Sequence, residues 1–442
     1  MNKELTNGNV QKTMLLFAGP MVLGNLLQQG YNIADTLIVG RFLGAGALAS
    51  VGAAYTLMTF LTSVLIGLCM GSGSVVAFYF GRKEYGRMKE AVTCSFLFIS
   101  AVSVFLNIIV FVWADEILTL LQIPASLTGM MKEYIWIIYW GIFFVFLYNY
   151  FAFILRAIGN SVIPLTFLGV AAGLNIVLDV VFVVVFQWGI AGAAIATVFS
   201  QILSGVGIGL YAWVKEPLLR PGKMERGRMK TAMPEVVRHS LAASVQQSVM
   251  NFGILMIQGL VNSFGTAVMA AFAVAVKIDS FAYMPAQEFA NAFSLFISQN
   301  YGAGKRERVK EGVRSAVKTS VIFCLAVSAV IFAFASQWMK IFVKASETEI
   351  IRIGVGYLRV EGSFYCGIGI LFLLYGYYRA VGKPEMSVVL TVISLGTRVL
   401  LAYMFAPVPA IGVWAIWWAI PIGWFLADTT GILYMKRMKM KR

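Results

Sequence analysis

The sequence has few charged residues for its length. Of its 442 residues, 12% are charged and 60% are hydrophobic, whereas about a quarter of the residues in a soluble domain are charged. This shortage excludes a soluble globular protein and favours a helical membrane protein. Histidine occurs once, and the four cysteines have no CxxC spacing. We therefore interpret the cysteines as small core residues rather than metal ligands or disulfide partners.

Sequence motifs of enzymes are also missing. No phosphate-binding loop, metal-ligand cluster or nucleophile–base arrangement falls in a segment long enough to form a catalytic domain. We therefore expect neither enzyme activity nor a cofactor. The net charge of +15 does not require a nucleic-acid partner, because basic loops at a membrane surface account for it.

Long apolar runs are what the sequence has in abundance. A window of about 20 apolar residues, enough to cross a bilayer, finds twelve segments. The predicted fold class is an all-α polytopic membrane protein with twelve transmembrane helices. The predicted spans are 13–39, 46–79, 91–113, 132–155, 161–186, 189–214, 236–263, 266–300, 313–337, 352–378, 385–406 and 411–434.

The two halves of the chain share short motifs in their polar loops. RAIGN at Arg156 recurs as RAVGK at Arg379, and GRKEYGRMKEAV from Gly81 resembles GAGKRERVKEGV from Gly302. Because each half has an even number of spans, we predict parallel repeats with a cavity at their interface. The predicted domains are an N-terminal lobe at 1–214, a cytoplasmic linker at 215–235 and a C-terminal lobe at 236–442.

The distribution of Lys and Arg predicts the orientation in the membrane. Most of the 35 basic residues fall in the segments that are cytoplasmic if the N-terminus is inside. Positively charged loops are retained in the cytoplasm. We therefore expect a multi-pass protein of the inner (plasma) membrane with both termini in the cytoplasm.

An acid in the middle of a predicted span indicates the candidate site. Burying Asp179 in a bilayer costs about 2.5–3.5 kcal/mol on insertion scales, so a function is the first hypothesis. Asn175 lies four residues before it, on the same helical face. Asp179 and Thr197 are each eight residues from the Gln187–Gly189 turn, and Asp35 in the first span has a comparable depth.

This set of oxygens leaves two chemical possibilities open. Two carboxylates with amide and hydroxyl oxygens suit a small cation, and repulsion between the two acids would also favour a bound proton. A structural role, in which each acid accepts a hydrogen bond from a neighbouring helix, is the alternative. Because the corresponding residues of the second half differ, we expect acid chemistry of this kind only in the first lobe. Those residues are Met256, Arg398, Ala402 and Ile420.

At this point the chain resembles the MATE (multidrug and toxic compound extrusion) transporters over essentially its whole length. The motifs are Pro20 with Asn25, NIADT from Asn32, GRKEYGRMKEAV, RAIGN, NIVLD followed by GIAGAAIAT, and YGAGKRERVKEGV. The resemblance implies alternating access between two six-helix lobes. It also implies export of organic, cationic or amphipathic compounds, driven by inward movement of sodium or protons.

The resemblance further implies roles for individual residues. Tyr134 and Asn149 match accompanying polar positions, and Pro20 matches a proline at which the first helix bends between states. The first-lobe cation site of DinF-like members is matched by Asp35, Asn175, Asp179 and Thr197.

The second lobe departs from one branch of the family. Members of the NorM type have an acid in the seventh helix, where this chain has Gln246, Gln247 and Asn251. We therefore predict no coupling site at that position.

Other charges in the second lobe fall in apolar segments. Asp279 and Glu288 share a helix, and we predict substrate-binding or accessory roles for them, facing a cavity. For Glu361 and Arg398 a structural ion pair is favoured, because each needs a partner on another helix.

Other classes of protein remain as alternatives. A lipid or lipid-linked oligosaccharide flippase would have a similar number of helices, but it would line its cavity with several Arg or Lys, and only Lys277 and Arg398 are candidates. A channel or an intramembrane enzyme has less support. As partners we expect small organic molecules and membrane lipid, no nucleic acid, and a monomeric protein.

Overall fold

The computed structural model describes residues 4–116, 125–220 and 226–440, and these residues fold into α-helices joined by short turns. The first half contains α1 (Val10–Leu43), α2 (Ala45–Gly81), α3 (Tyr85–Val112), α4 (Ala125–Ile138), α5 (Ile142–Ala157), α6 (Val162–Asp179) and α7 (Gly189–Lys215). The second half contains α8 (Arg226–Asn262), α9 (Thr266–Gly302), α10 (Arg306–Phe342), α11 (Thr348–Gly362), α12 (Tyr365–Ala380), α13 (Pro384–Phe405) and α14 (Trp414–Met440).

Most of these helices can cross a membrane. Within the described ranges, eleven helical segments are long and apolar enough to do so, one of which combines α4 and α5. The pair α11 and α12, bent by 51° at its break, is a candidate for a twelfth span. Helices suit this environment because their backbone hydrogen bonds are satisfied within each segment. The predicted all-α polytopic membrane fold is confirmed.

The helices form two compact units. The first unit contains Gly19–Ser244 together with the residues before Thr6, and the second contains Thr6–Ala18 and Val245–Arg442. The division therefore falls inside α1 and α8, and α8 begins within the predicted 215–235 linker.

Close packing explains why the start of α8 belongs to the first unit. A Cβ atom added at Gly71 of α2 would lie 2.2 Å from the carbonyl oxygen of His239, and one at Gly67 would lie 2.5 Å from the Cα atom of Ser244. Only glycine lets two helix backbones approach to this distance. The sequence places glycine at both positions on α2, four residues apart.

The backbone conformation of the first half recurs in the second half. Both halves have a broken fourth span, at Tyr139–Gly141 in the first half and between Gly362 and Tyr365 in the second. Residues with positive φ recur 221 or 223 residues apart, the same offsets that the sequence motifs have. The pairs are Gly44 and Gly265, Lys83 and Gly304, Gly159 and Gly382, and Gly189 and Gly412. The two halves therefore share one pattern of helices and turns.

Candidate functional site

The predicted site residues lie on neighbouring helices of the first unit. Asp35 is on α1, Tyr134 on α4, Asn175 and Asp179 on α6, and Thr197 on α7. Asp179 is the last residue of α6, and the six residues after it, Val180–Val185, form a π-helix. Such segments are rare, and they occur often at functional sites.

The structure brings the carboxyl groups of Asp35 and Asp179 together. They are close enough to interact directly across α1 and α6. Two ionised carboxylates only accept hydrogen bonds, so this contact becomes a hydrogen bond only when a proton lies between the oxygens. A cation that binds both oxygens would also remove the repulsion. The pair therefore requires a positive charge from outside the two side chains.

Several oxygens around this pair are buried without a hydrogen-bond partner in the described part of the chain. They are Asp35 Oδ1, Asn175 Oδ1 and both carboxylate oxygens of Asp179. Asp179 is 0% exposed and Asn175 is 2% exposed. Leaving a buried acceptor unsatisfied costs about 1–3 kcal/mol, and more for a charged group. These oxygens fit a small hard cation or a proton, both of which would satisfy them.

Thr197 is held beside Asn175 on the adjacent helix. Asn175 Nδ2 donates to Thr197 Oγ1 over 3.5 Å, and the Thr197 hydroxyl donates to the carbonyl oxygen of Ala193 over 3.1 Å. A Cβ atom added at Gly192 would lie 3.1 Å from the carbonyl oxygen of Phe182, so glycine lets α7 approach the π-helix. The amide of Asn175 therefore bonds to α7 through its nitrogen and leaves its oxygen available.

Tyrosines surround the acid pair. Tyr134 is buried and interacts with Asp35, Asp179 and Tyr31. Tyr31, which the sequence interpretation missed, interacts with Asp35 and Tyr134, and also with Tyr148 of α5. Its position four residues before Asp35 on one helix was the available signal, because residues i and i+4 share a face.

Three other predicted positions are less directly connected to this pair. Asn149 Nδ2 donates to the carbonyl oxygen of Val145 in its own helix, over 2.9 Å. Pro20 lies inside α1 without ending it, one residue after the division between the units. Glu288 accepts from Asn291 Nδ2 over 3.5 Å in the second unit. Their predicted roles remain predictions.

The second unit contains a second pair of acids, so buried acids in contact are not confined to the first lobe, while the expectation that ion coupling is confined to it stays a prediction. Asp279 and Glu361 are each 3% exposed, and their carboxyl groups interact across α9 and α11. Tyr365 donates to Asp279 Oδ1 over 2.5 Å. A comparison of equivalent positions did not indicate this pair, because it is built from positions where the first half has Met58 and Ile138.

The described residues contain no group of three or more His, Cys, Asp or Glu side chains that could hold a metal ion. The first-unit site has two carboxylates supplemented by an amide oxygen and a hydroxyl. That donor set is suited to a monovalent hard cation or a proton rather than to a tightly held transition metal.

Two repeated bundles of membrane-crossing helices, with an acid pair buried between helices, are typical of secondary transporters. The sequence model of the MatE family matches this chain twice, at residues 20–181 and 242–404. The chain therefore belongs to the MatE family of transporters and is not an enzyme. The two matches correspond to its two repeated halves.

Comparisons with relatives agree with this assignment. The probable multidrug resistance protein YpnP of Bacillus subtilis (strain 168) is 30% identical over 391 residues, which cover 88% of this chain and 87% of YpnP. The multidrug export protein MepA of Staphylococcus aureus (strain NCTC 8325 / PS 47) is 21% identical, over 96% of this chain and 93% of MepA.

Solved structures have the same fold. MATE in the bent conformation matches with a TM-score of 0.90 and 25% identity. An outward-facing multidrug resistance MATE transporter of the MOP superfamily matches with a TM-score of 0.91 and 25% identity. Each match covers 99% of this chain and 97% of the other.

Proposed function

We propose that this protein is a cation-coupled exporter of organic, cationic or amphipathic compounds that works by alternating access. Its membership of the MatE family supports efflux transport, and the names of YpnP and MepA support a multidrug range of substrates. Inward movement of sodium or protons supplies the energy.

The coupling site that we propose consists of Asp35, Asn175, Asp179 and Thr197, with Tyr134 as a polar neighbour. The observation that carries it is the contact between the carboxyl groups of Asp35 and Asp179, three of whose oxygens are buried without a hydrogen-bond partner in the described residues. A transported ion must bind and leave, so unsatisfied oxygens are more useful for coupling than a closed ion pair. A purely structural role for the acids would require hydrogen-bond donors, and the part of the chain that the structure describes supplies none to the buried oxygens of either carboxylate.

Sodium and protons compete for this site in our proposal, with sodium as the slightly favoured driver. Sodium needs several oxygens at once, and carboxylate, amide and hydroxyl oxygens all lie within this group of side chains. A proton needs only one carboxyl, and repulsion between the two acids favours its binding. Protonation of the pair reduces the negative charge that attracts sodium, so the two ions compete.

Sodium binding at two pH values tests the coupling site. Purified protein should bind sodium at alkaline pH, bind it more weakly at acidic pH, and lose this binding in Asp179→Asn. Asp→Asn keeps the size of the side chain and removes its charge. Sodium binding that is absent at alkaline pH, or unchanged by the substitution, would exclude the shared site.

Ethidium efflux from energised membrane vesicles tests export itself. Active extrusion under an imposed sodium or proton gradient is expected, because MatE relatives carry multidrug resistance names. Passive ion flux without extrusion would indicate a channel. Movement of lipid-linked substrates without ethidium efflux would favour the flippase alternative.

We also propose a location in the plasma membrane with both termini in the cytoplasm. The support is the concentration of Lys and Arg in the loops that this orientation places inside. The same orientation puts the turns at Gly44 and Gly189 on the outer side.

A further inference from the structure

The acidic clusters of the two units differ in their permanent charge. In the first unit, Asp35 and Asp179 interact with each other and with tyrosines, and no Lys or Arg of the described ranges is among the groups that affect them. In the second unit, Asp279 and Glu361 both interact electrostatically with Arg398 of α13. One cluster therefore has two acids and no base, and the other has two acids and one base.

The internal repeat relates Arg398 to Asn175 of the first unit. Arg398 lies 223 residues after Asn175. The same offset relates two pairs of positive-φ glycines in the two halves, Gly159 and Gly382, and Gly189 and Gly412. Tyr134 and Tyr357 have this offset as well, and each interacts with the acids of its own unit. Arg398 thus stands at the position where the first unit has the uncharged Asn175, a ligand in the proposed coupling site.

Arg398 does not form a hydrogen-bonded ion pair with Asp279 or Glu361 in the described residues. Its Nε atom and Glu361 Oε2 are both buried without a hydrogen-bond partner among the described residues. Asp279 is bonded by Tyr365, which stabilises one of its oxygens. The guanidinium therefore compensates the two acids through its charge, as a bound cation would, rather than through a closed set of hydrogen bonds.

We propose that Arg398 is a tethered cation that replaces an exchangeable ion in the second unit and thereby limits sodium coupling to the first. This proposal rests on the proposed coupling function of the first-unit site. The reason is the sum of the charges in the second cluster. With two acids, one arginine and one proton shared between the carboxyl groups, the second cluster is neutral. Without the arginine it needs one more cation, which sodium can supply.

Equilibrium binding of radioactive sodium at alkaline pH tests the proposal. Asp179→Asn removes the first-unit site, so this protein should bind no sodium. Adding Arg398→Asn, which restores the residue type of the first half, should produce binding of about one sodium per molecule. Arg398→Lys in the same background keeps the charge and should give no gain. Adding Glu361→Gln to the Arg398→Asn protein should abolish the gain.

Three results would overturn the proposal. One is sodium binding in Asp179→Asn that Glu361→Gln removes, because Arg398 then leaves room for an exchangeable ion. Another is no gain of sodium binding when Arg398→Asn is added to Asp179→Asn and the protein folds. If the Arg398→Asn protein unfolds, Arg398→Gln takes its place in this test. A third is an equal gain in Arg398→Lys. If both uncharged variants unfold, Asp179→Asn with and without Glu361→Gln decides the matter, because sodium binding that Glu361→Gln removes overturns the proposal and no binding in either protein supports it.

Failure of the proposed coupling function has a different signature. It would appear as parental protein whose sodium binding is absent or does not depend on Asp179. The gain on removing the Arg398 charge, and its loss in Glu361→Gln, are measured independently of that result.

Discussion

At the scale of single residues, the contact between buried Asp179 and half-buried Asp35 distinguishes this site from the other polar groups of the first unit. Asp115 is an instructive contrast, because it is exposed and its carboxylate pairs with Lys132 over 2.8 Å. Exposed pairs of this kind contribute about 0–1 kcal/mol to stability. Asp35 and Asp179 have no basic partner among the described residues, so a positive charge from outside these side chains must compensate them when both are ionised.

Neutralising either acid of the first-unit pair should abolish coupling. Asp35→Asn and Asp179→Asn remove the charge that attracts the ion while keeping the size of the side chain, so ion-driven ethidium export should fall to the background level. The protein should remain folded, because an amide costs less to bury than a carboxylate. Asp115→Asn is the matched control and should export at the parental rate. Export at that rate by Asp35→Asn or Asp179→Asn would exclude a coupling role for that residue.

The hydroxyl of Thr197 should matter for sodium and not for protons. Thr197→Val removes one neutral oxygen at nearly constant volume, and we expect sodium affinity to fall about tenfold, equivalent to about 1.4 kcal/mol. Proton-driven export should change little, since a carboxyl alone can hold a proton. The measurements are sodium titrations and export under each gradient.

Thr166→Val is the control for this substitution. Thr166 on α6 donates its hydroxyl to a carbonyl in its own helix, as Thr197 does on α7, but it is exposed on the surface of the unit. An equal loss of sodium affinity in both variants would show that the effect is on helix stability rather than on ligation.

At the scale of helices, glycine determines how closely the elements pack. Gly71 of α2 lies against the backbone of α8, and Gly192 of α7 lies against the π-helix that follows Asp179. The Gly192 contact fixes helix positions next to the candidate site, and the Gly71 contact fixes helix positions away from it. They also show why α8 belongs to the first unit as far as Ser244, although the rest of the helix belongs to the second.

Adding a single methyl group at Gly71 should destabilise the first unit. In Gly71→Ala the new Cβ atom would meet the backbone of His239, which cannot move aside as a side chain could, and overpacking of this kind costs about 1–3 kcal/mol. A thermal unfolding scan in detergent should show a lower midpoint. Gly52→Ala in the same helix meets nothing within 4 Å and should leave the midpoint unchanged or raise it. Equal midpoints for the two variants would contradict the backbone contact.

At the scale of the whole molecule, one helix pattern is used twice and carries two different charge arrangements. The broken fourth span and the positive-φ residues recur at constant offsets. The acids do not, since each unit forms its pair from different positions. Repetition therefore preserved the scaffold, while the two sites diverged in their side chains.

The orientation of the whole chain can be measured with a thiol reagent. A cysteine at Trp188, which is half exposed in the turn before α7, should react with a membrane-impermeant maleimide added to intact cells. A cysteine at Arg437 should react only after the membrane is opened. The basic loops predict this pattern, because they are retained inside. The reverse pattern of labelling would overturn the proposed topology.

The sequence by itself determined the features that depend on local periodicity. Apolar length predicted the spans, because a bilayer has a fixed thickness. Helical spacing put Asn175 and Asp179 on one face, and counting from the turn put Thr197 at the same depth. The repeated loop motifs predicted the two halves, which the backbone and the double family match support.

Only the tertiary structure decided which side chains meet. Depth along a helix follows from residue number, but the rotation of each helix about its axis depends on packing with neighbours distant in sequence. Asp35 and Asp179 are 144 residues apart in the chain, and Asp279 and Glu361 are 82 apart, yet the members of each pair are in contact. The sequence could indicate the first pair by matched depth. It could not indicate the second, because α9 and α11 bring together positions that have no acidic equivalents in the first half.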